Sequence, residues 1–597
     1  MKQFLITSAA VVFSLTLFFI GLPIILLAGI VSAAKPAPAP GPMVLTLDLR
    51  QGLADQDPAS PLGFIQSRGI SVVGLDGALR RAASDNRVKG LLIRLPEGGA
   101  PPASADELAA DIRRFRRSGK PVIAFSQGIY PSGVTTASYL LGAASGAFWM
   151  QENASLQSVG VSVEETFYKR AFDKFGVKAD FQQRYEYKNA VNPYLYDDFT
   201  PAHREAELGW LTSVYEHDTE AAAADRRLAP AALRRLLEAG PYGAEEAAAK
   251  GLIDHVGDEH QAEETLLASA GEGAKLVDVN AYRALLRRTP LSGAQTSAPK
   301  IALIQAEGEI VTGGRKTGDF STNATIYSDD LSRALYDAAH DGAVKAIVLR
   351  ISSPGGSDTA SEQILTAMRA AKAAGKPVVV SMGVYAASGG YWVSCQASRI
   401  VAEPTTLTGS IGVFGGKLVL GPALARFGVD LHDLSVGGDF ASAYRAGAPF
   451  TPGQRARISA WMDHIYNGFV ERVAVGRRLP VDRVRAIAKG RVWTGAQALK
   501  LGLVDQLGGL EDAIGAAKQL AGLSTSQPVI LQELPRRETP FEAIQHALGA
   551  GGASLKTLMT IAAVLDEPRV QSLVSDLVRA EAPPSTQSTL APGPWPR

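Results

Sequence analysis

Short apolar runs alternate with amphipathic stretches through most of the chain. In the second half, the apolar run at 344–351 predicts a buried strand. The segment 357–375 begins with a serine, has apolar residues at helical spacing and ends in glycine, so it predicts a helix. A further strand is predicted at 377–381. Strands that alternate with helices indicate an α/β fold with a mainly parallel sheet, whose ligand chemistry belongs beyond the carboxyl ends of the strands.

The same order of elements occurs twice. VKGLLIRLPEGG at 88–99 resembles VKAIVLRISSPGG at 344–356, and GKPVIAF at 119–125 resembles GKPVVVS at 375–381. GLID at 251–254 likewise matches GLVD at 502–505, and a spacing near 250 residues that changes little along the chain is the signature of an internal repeat. We therefore predict two homologous domains, a first repeat at 43–288 and a second at 300–545, joined by the polar linker 289–299.

The amino-terminal segment 4–34 contains no charged residue. It is longer than the apolar region of a signal peptide and long enough to span a bilayer, so we predict an uncleaved transmembrane anchor, although small residues at 32–34 leave cleavage open. Lys2 and Lys35 flank the segment, and the positive-inside count favours a cytoplasmic amino terminus only slightly. The Pro-rich linker 35–42 completes an anchor region at 1–42 that holds the body off the membrane.

The carboxyl terminus differs in composition from the repeats. Apolar residues at helical spacing predict a helical extension at 546–582, to which the sequence assigns no role. The last segment, 583–597, is rich in Pro, Ser and Thr and is expected to be disordered.

Charge and cysteine content narrow the classes of function. The 597 residues carry 60 Lys and Arg against 59 Asp and Glu, so no global field recruits nucleic acid. The single cysteine, Cys395, excludes an internal disulfide and a zinc site built from cysteines.

Two glycine turns of the second repeat lie where ligand chemistry is expected. Pro354-Gly355-Gly356 follows the first predicted strand, and YAASGGYW at 385–392 follows the second. In the latter, Ser388 lies where a strand gives way to a helix, so its hydroxyl can enter a cleft that backbone N–H groups also face. A nucleophile and an oxyanion hole are the parts that acyl transfer needs. The alternative is that both segments are simply Gly-rich helix starts.

A serine nucleophile needs a base, and no histidine lies in or beside either turn. Lysine is the other candidate, but it acts only as a neutral amine, which requires burial to lower its pKa by several units. Lys188 lies in RYEYKNAVNPY at 184–194. Four residues of this segment surround it with bulky, partly apolar groups: Tyr185, Tyr187, Val191 and Tyr194. The alternative is an ordinary solvated lysine.

The second repeat resembles the signal peptide peptidase A family of serine proteases in three motifs: SPGG at 353–356, VYAASGGYWVSC at 384–395 and TGSIGV at 408–413. In the first repeat, YKNAVNP at 187–193 resembles the lysine segment of the long, two-repeat form of that family. The resemblance implies two tandem crotonase-like, ClpP-related α/β repeats after a transmembrane helix. It implies a homotetramer in the inner membrane, with the catalytic body on the periplasmic side and no cofactor or metal. The implied substrates are signal peptide remnants and unfolded peptide segments near the bilayer.

The resemblance also implies roles for individual residues. Ser388 falls on the nucleophile, Lys188 on the general base and Ser410 on the serine that orients the lysine. The oxyanion positions fall on Gly389 and on the pair Gly355 and Gly356.

The repeat spacing adds a separate argument for a site built from both halves. The position that corresponds to Lys188 in the second repeat is Phe440, so the serine and the lysine occur once each, in different repeats. An ungapped alignment sets Ser132-Gly133 against Ser388-Gly389, which keeps Ser132 as an alternative nucleophile, although a second glycine is missing there.

Two other functions stay open at this point. One is an acyl-CoA enzyme of the crotonase type, which shares glycine-turn oxyanion holes but needs a different base and a CoA pocket. The other is a non-catalytic membrane scaffold that uses the repeats to oligomerise.

Overall fold

The computed structural model describes residues 41–57, 70–288, 298–315 and 324–535. The predicted anchor at 4–34, the helical extension at 546–582 and the tail at 583–597 lie outside these ranges. None of the helices within them is long and apolar enough to cross a membrane.

The first repeat is built on a six-stranded parallel sheet. In spatial order its strands are His255–Val256, Phe148–Met150, Val122–Ser126, Val88–Arg94, Met43–Asp48 and Lys275–Asp278. Its helices are Val72–Ser84, Pro102–Arg116, Thr135–Ser145, Lys169–Phe175, Asn192–Leu195, Pro201–Arg226, Pro230–Glu238, Ala244–Ala249, Glu259–Ala270 and Val279–Arg288. The apolar residues of the strands form buried clusters with helices on both faces, as a parallel sheet requires.

The second repeat has the same plan with eight strands. The main path runs Val492–Thr494, Leu407–Gly409, Val378–Ala387, Val344–Ser353, Lys300–Glu307 and Ile530–Leu534, and Arg399–Ala402 and Gln506–Leu507 attach to it. Only the pair of Val492–Thr494 with Leu407–Gly409 is antiparallel in this sheet. Its helices are Ser328–His340, Asp358–Ala373, Gly389–Ser394, Gly421–Ala425, Pro452–Arg477, Val481–Ile487, Gly495–Leu501 and Leu510–Leu520.

Equivalent helices of the two repeats match in length. Val72–Ser84 and Ser328–His340 both have 13 residues, and Pro201–Arg226 and Pro452–Arg477 both have 26. Short strands pair outside the two sheets: Leu53–Ala54 with Ile70–Ser71, Ser155–Leu156 with Tyr242–Gly243, and Glu309–Val311 with Thr325–Tyr327. The mixed α/β class and the two repeats predicted from the sequence are confirmed.

Two predicted strands are longer than the sequence indicated. The first ends at Ser353 instead of 351, and the second continues from Val378 to Ala387 instead of stopping at 381. The extension is stabilised by pairing, because Ser353 lies opposite Ala386, and Tyr385–Ala387 lies opposite Leu407–Gly409. A pattern based on apolar runs stopped short because Ser352 and Ser353 are polar and Gly383 interrupts the second run. The helix predicted at 357–375 is Asp358–Ala373, with Ser357 as its N-cap.

Two of the contacts between the repeats bear directly on the site. The strand Lys178–Arg184 of the first repeat pairs antiparallel with Val413–Val419 of the second, and Arg184 lies opposite Val413. Elsewhere the guanidinium of Arg350, in the second sheet, is fully buried and donates to the carboxylates of Asp55 and Glu107 of the first repeat. Both features fix the first repeat against the end of the second sheet that carries Ser388.

Candidate active site

Ser388 occupies a sharp turn between the strand Val378–Ala387 and the helix Gly389–Ser394. Its backbone lies at φ 53°, ψ −118°, a region that non-glycine residues rarely adopt and that costs roughly 1–3 kcal/mol. The surroundings hold it there: its N–H donates to the carbonyl of Gly409 at 2.9 Å, and its carbonyl accepts from the N–H of Trp392 at 2.9 Å. In other strand-to-helix nucleophile turns, a strained backbone of this kind exposes the serine hydroxyl.

Lys188 of the first repeat reaches this hydroxyl. Its Nζ lies 3.1 Å from Ser388 Oγ, 2.9 Å from Ser410 Oγ and 3.0 Å from the carbonyl oxygen of Ser410. The lysine follows the strand Lys178–Arg184, whose pairing with the second repeat carries the chain to this point. The structure therefore brings the three predicted side chains together, although they come from segments about 200 residues apart in sequence.

The amine of Lys188 is buried, with 4% of the residue exposed. Burial lowers its pKa from 10.5 to about 7, because the charged ammonium loses its hydration. Near neutral pH a large share of this amine is therefore uncharged. A neutral amine has two N–H groups, which can donate to the two oxygens of Ser410, and one lone pair, which can accept the hydroxyl proton of Ser388.

The residues around Lys188 come from both repeats. Tyr185, expected to shield Lys188, is 45% exposed and packs edge-on against Tyr466. Tyr194 stacks in an aromatic group with Phe172. A segment of the second repeat also packs against the backbone of Lys188, since a Cβ added to Gly490 would lie 2.5 Å from the Lys188 Cβ. This contact was missed because Gly490 is some 300 residues away along the chain.

Ser410 is fixed in relation to Ser388 by the sheet. The residue before it, Gly409, ends the strand Leu407–Gly409 and accepts the N–H of Ser388. Ser410 itself has φ 49°, and its N–H donates to the carbonyl of Arg491 at 2.8 Å. The hydroxyl and the carbonyl of Ser410 thus face the same amine from a strained, well-held backbone.

The turn that contains Gly355 and Gly356 lies against Ser388. A Cβ on Gly355 would come within 2.7 Å of Ser388 Cβ, and one on Gly356 within 2.1 Å of the carbonyl oxygen of Ile310. Both glycines have positive φ, at 116° and 147°. Side chains are therefore excluded at both positions by contact as well as by backbone conformation.

The N–H groups of this turn have different uses. The N–H of Gly355 donates to Ser353 Oγ at 3.2 Å, so this glycine makes room for Ser388 while its own donor is taken. The N–H groups of Gly356 and Gly389 have no hydrogen-bond partner among the described residues. They also lie close together, since a Cβ on Gly389 would be 3.2 Å from the nitrogen of Gly356. Two free donors beside a nucleophile form a suitable oxyanion hole.

Ser353 helps to hold the glycine turn of the site, although the sequence interpretation placed it in the turn itself. It is fully buried as the last residue of the strand Val344–Ser353, and its hydroxyl holds the glycine turn through the N–H of Gly355. The available signal was a small polar residue at the carboxyl end of a buried strand, directly before a Pro-Gly-Gly turn.

The first repeat does not form a matching site. Val134 is the residue before the helix Thr135–Ser145, so it occupies the position that Ser388 has in the second repeat. The alternative nucleophile Ser132 is therefore wrong in register, and its carbonyl instead accepts the N–H of Gly99 at 2.5 Å. A Cβ on Gly99 would clash with Val134, just as one on Gly355 would clash with Ser388. The glycine turn persists in this repeat without a nucleophile.

Comparison with known proteins gives one family model and several curated relatives. The model described as peptidase family S49 matches residues 114–272 and again residues 370–524. The chain is 32% identical to Protease 4 of Salmonella typhi over 525 residues, which cover 86% of this chain and 81% of that protein. It is 32% identical to Protease 4 of Haemophilus influenzae over 78% of this chain and 75% of that protein. It is 28% identical to the chloroplastic serine protease SPPA of Arabidopsis thaliana over 88% of this chain and 76% of that protein.

Proposed function

Because the chain belongs to peptidase family S49 and is a serine protease of the two-repeat signal peptide peptidase A type, we propose that it degrades signal peptide remnants and other peptide segments near a membrane. We assign the chemistry to a Ser388–Lys188 dyad. The observation that carries this assignment is the 3.1 Å approach of a buried lysine amine to the hydroxyl of a strained serine, across two repeats.

The proposed reaction begins with neutral Lys188. Its lone pair takes the proton of Ser388 Oγ as this oxygen attacks the peptide carbonyl. Ser410 orients the amine through its hydroxyl and carbonyl oxygens. The N–H groups of Gly356 and Gly389 stabilise the oxyanion, and losing one such donor typically lowers the rate about 100–1000-fold.

The second half of the reaction returns the proton. The lysinium protonates the departing amine, and a water molecule, deprotonated by the regenerated amine, hydrolyses the acyl-serine ester. Only protein groups and water take part in this sequence. The low-dielectric setting that lowers the pKa of Lys188 also suits the apolar core of a signal peptide.

Variants of the two side chains test the proposal. We expect Ser388→Ala and Lys188→Ala each to abolish cleavage of a peptide substrate by the purified full chain, while both proteins keep the wild-type melting temperature within a few degrees. A serine-directed probe should label Ser388 in wild-type membranes and leave Ser388→Ala unlabelled. Full activity in either alanine variant would disprove the dyad, and an unlabelled wild-type serine would favour a scaffold without catalytic function.

We further propose that the segment 4–34 anchors the protein in the inner membrane with a single span, and that the catalytic body lies on the periplasmic side. The length and the lack of charge in this segment support the proposal. Carbonate extraction should leave the full chain in the membrane pellet, and a protease added to spheroplasts should digest the body. Protection of the body from the added protease in intact spheroplasts would show the opposite orientation, with the body in the cytoplasm.

We propose a homotetramer as the assembly. The support is the head-to-tail packing within one chain, in which Arg350 of the second repeat binds carboxylates of the first. Arg94 aligns with Arg350 but pairs within its own repeat, with Asp48 and Glu259. We propose that the first repeat also meets the second repeat of a neighbouring copy, and repetition of this packing would close a ring. Light scattering of the detergent-solubilised full chain should give four copies, and a monomer would refute the assembly.

A further inference from the structure

The segment 489–491, which reads Lys-Gly-Arg, lies between the lysine-bearing loop of the first repeat and the active-site loop of the second. On the side of the first repeat, the carbonyl of Lys489 accepts the N–H groups of Tyr185 and Tyr187, both at 3.2 Å. The Nζ of Lys489 also pairs with Glu186 at 2.8 Å. The three residues directly before Lys188 are therefore bonded to this segment.

On its other side the segment bonds to the loop that begins at Ser410. The N–H of Gly490 donates to the carbonyl of Ile411 at 2.9 Å, and the carbonyl of Arg491 accepts the N–H of Ser410 at 2.8 Å. Through the segment 489–491, backbone hydrogen bonds thus connect the base-bearing loop to the loop of the serine that contacts the base.

Gly490 determines how closely the two loops approach. Its φ is 85°, and an added Cβ would lie 2.5 Å from Lys188 Cβ and 2.6 Å from both Lys188 Cα and Lys188 N. Ordinary Cβ contacts are near 3.4–4 Å, so any side chain here must push the backbone of Lys188 away by about 1 Å. A shift of this size is enough to separate Nζ from Ser388 Oγ.

The side chain of Arg491 holds the same loop from the outside. Its guanidinium lies 5.0 Å from the ring centre of Tyr187 and 4.4 Å from that of Trp493, so it is placed between an aromatic residue of each repeat. Its Nη1 pairs with Glu205 at 2.5 Å, and Glu205 also accepts the hydroxyl of Tyr187 at 2.9 Å. Tyr187 precedes Lys188 directly, so this contact restrains the backbone of the base.

The first repeat offers an internal comparison. The helices Ala244–Ala249 and Gly495–Leu501 are equivalent, and their N-caps are Gly243 and Thr494. The segment that corresponds to 489–491 is therefore 238–240, which reads Glu-Ala-Gly. Positive φ occurs at Lys489 and Gly490 but at none of these three residues. The unusual backbone is thus present only in the repeat that meets Lys188.

We propose that the segment 489–491 is the positioning element of the catalytic base: Gly490 sets the depth of Lys188 beside Ser388, and Arg491 holds the lysine-bearing loop in place. This inference rests on the proposed role of Lys188 as the base. None of the three residues touches the reacting atoms, so they act through Lys188. A misplacement of about 1 Å in an active site can lower the rate about 100-fold.

The test compares Gly490→Ala with Gly502→Ala in the detergent-solubilised full chain. Gly502 also has a left-handed backbone, at φ 77°, but a Cβ there would meet only the side chain of Leu479 at 3.7 Å. For Gly490→Ala we expect kcat to fall about 100-fold with KM changed less than about 3-fold. We also expect the midpoint of the pH–rate profile to rise, because a displaced amine is better hydrated. Gly502→Ala should retain the wild-type kcat and midpoint.

A second pair of variants covers the case in which Gly490→Ala does not fold. Arg491→Ala should lower kcat and raise the pH midpoint, and Arg491→Lys should recover only part of the loss, since an ammonium pairs with Glu205 but cannot stack flat on two rings. Wild-type kcat and midpoint in Gly490→Ala, or in Arg491→Ala if the glycine variant is unfolded, would overturn the inference. If Lys188→Ala is itself active, the proposed dyad fails instead, and the two failures are therefore distinguishable.

Discussion

The rate of peptide cleavage should depend on pH through the amine of Lys188. This amine must be neutral to accept the proton of Ser388, so activity is lost as the pH falls through its pKa. Burial lowers that pKa from 10.5 to about 7. At pH 7 about half of the buried amine is neutral, whereas an ordinary lysine would be neutral in only about 1 molecule in 3000. Burial should therefore raise the fraction of enzyme molecules with a neutral base about a thousandfold.

The assay is kcat/KM for a soluble fluorogenic peptide between pH 5 and 10, at constant ionic strength. Its logarithm should rise with unit slope at low pH and level off above about 7. Labelling with a serine-directed probe at each pH should follow the same midpoint, because the probe also reacts only with a Ser388 that a neutral Lys188 activates. A midpoint near the ordinary value for lysine, or a profile that is flat from pH 5 to 10, would refute the reasoning.

Three further predictions concern single residues. Ser410→Ala removes one of the two Ser410 oxygens that bond to Lys188 Nζ, so kcat should fall about 10- to 100-fold with little change in KM. An unchanged kcat would show that the Ser410 hydroxyl does not contribute to catalysis. Gly356→Ala must displace the carbonyl of Ile310, so kcat should fall at least about 100-fold. Gly342→Ala is the control: its added Cβ meets open space, so kcat should not change. Arg350→Met leaves two buried carboxylates without their cation. The free energy of unfolding, measured by denaturant titration, should therefore fall by about 3–5 kcal/mol. A loss below about 1 kcal/mol would show that the ion cluster does not join the repeats.

The sequence predicted much of the candidate site because its signals are local. Ser388 was located from a Ser-Gly-Gly turn after a strand, and the glycine turn from a Pro-Gly-Gly motif. Lys188 was selected because no histidine accompanied these turns and because its segment resembles a known one. The geometry agrees with these choices, and their catalytic roles stay predictions.

What the sequence did not predict depends on partners far apart in the chain. The carboxylates that neutralise Arg350 come from Asp55 and Glu107, at sequence separations of 295 and 243 residues, and no local pattern marks such a pairing. The second strand continues past Gly383 to Ala387, where it is stabilised by pairing with Leu407–Gly409. The hydrogen bond from the Gly355 N–H to the Ser353 hydroxyl likewise depends on the backbone conformation of the turn, which the sequence does not specify.

The division of the site between the two repeats has a consequence for biosynthesis. A ribosome that has finished Lys188 must still add 200 residues before Ser388 exists, and the loop that seats the lysine ends only at Arg491. A nascent or truncated chain that stops before this point therefore holds an amine without its alcohol, or both without the backbone that brings them together. With the proposed dyad, the peptidase is inactive during its own synthesis and can cut other chains only once both repeats have docked.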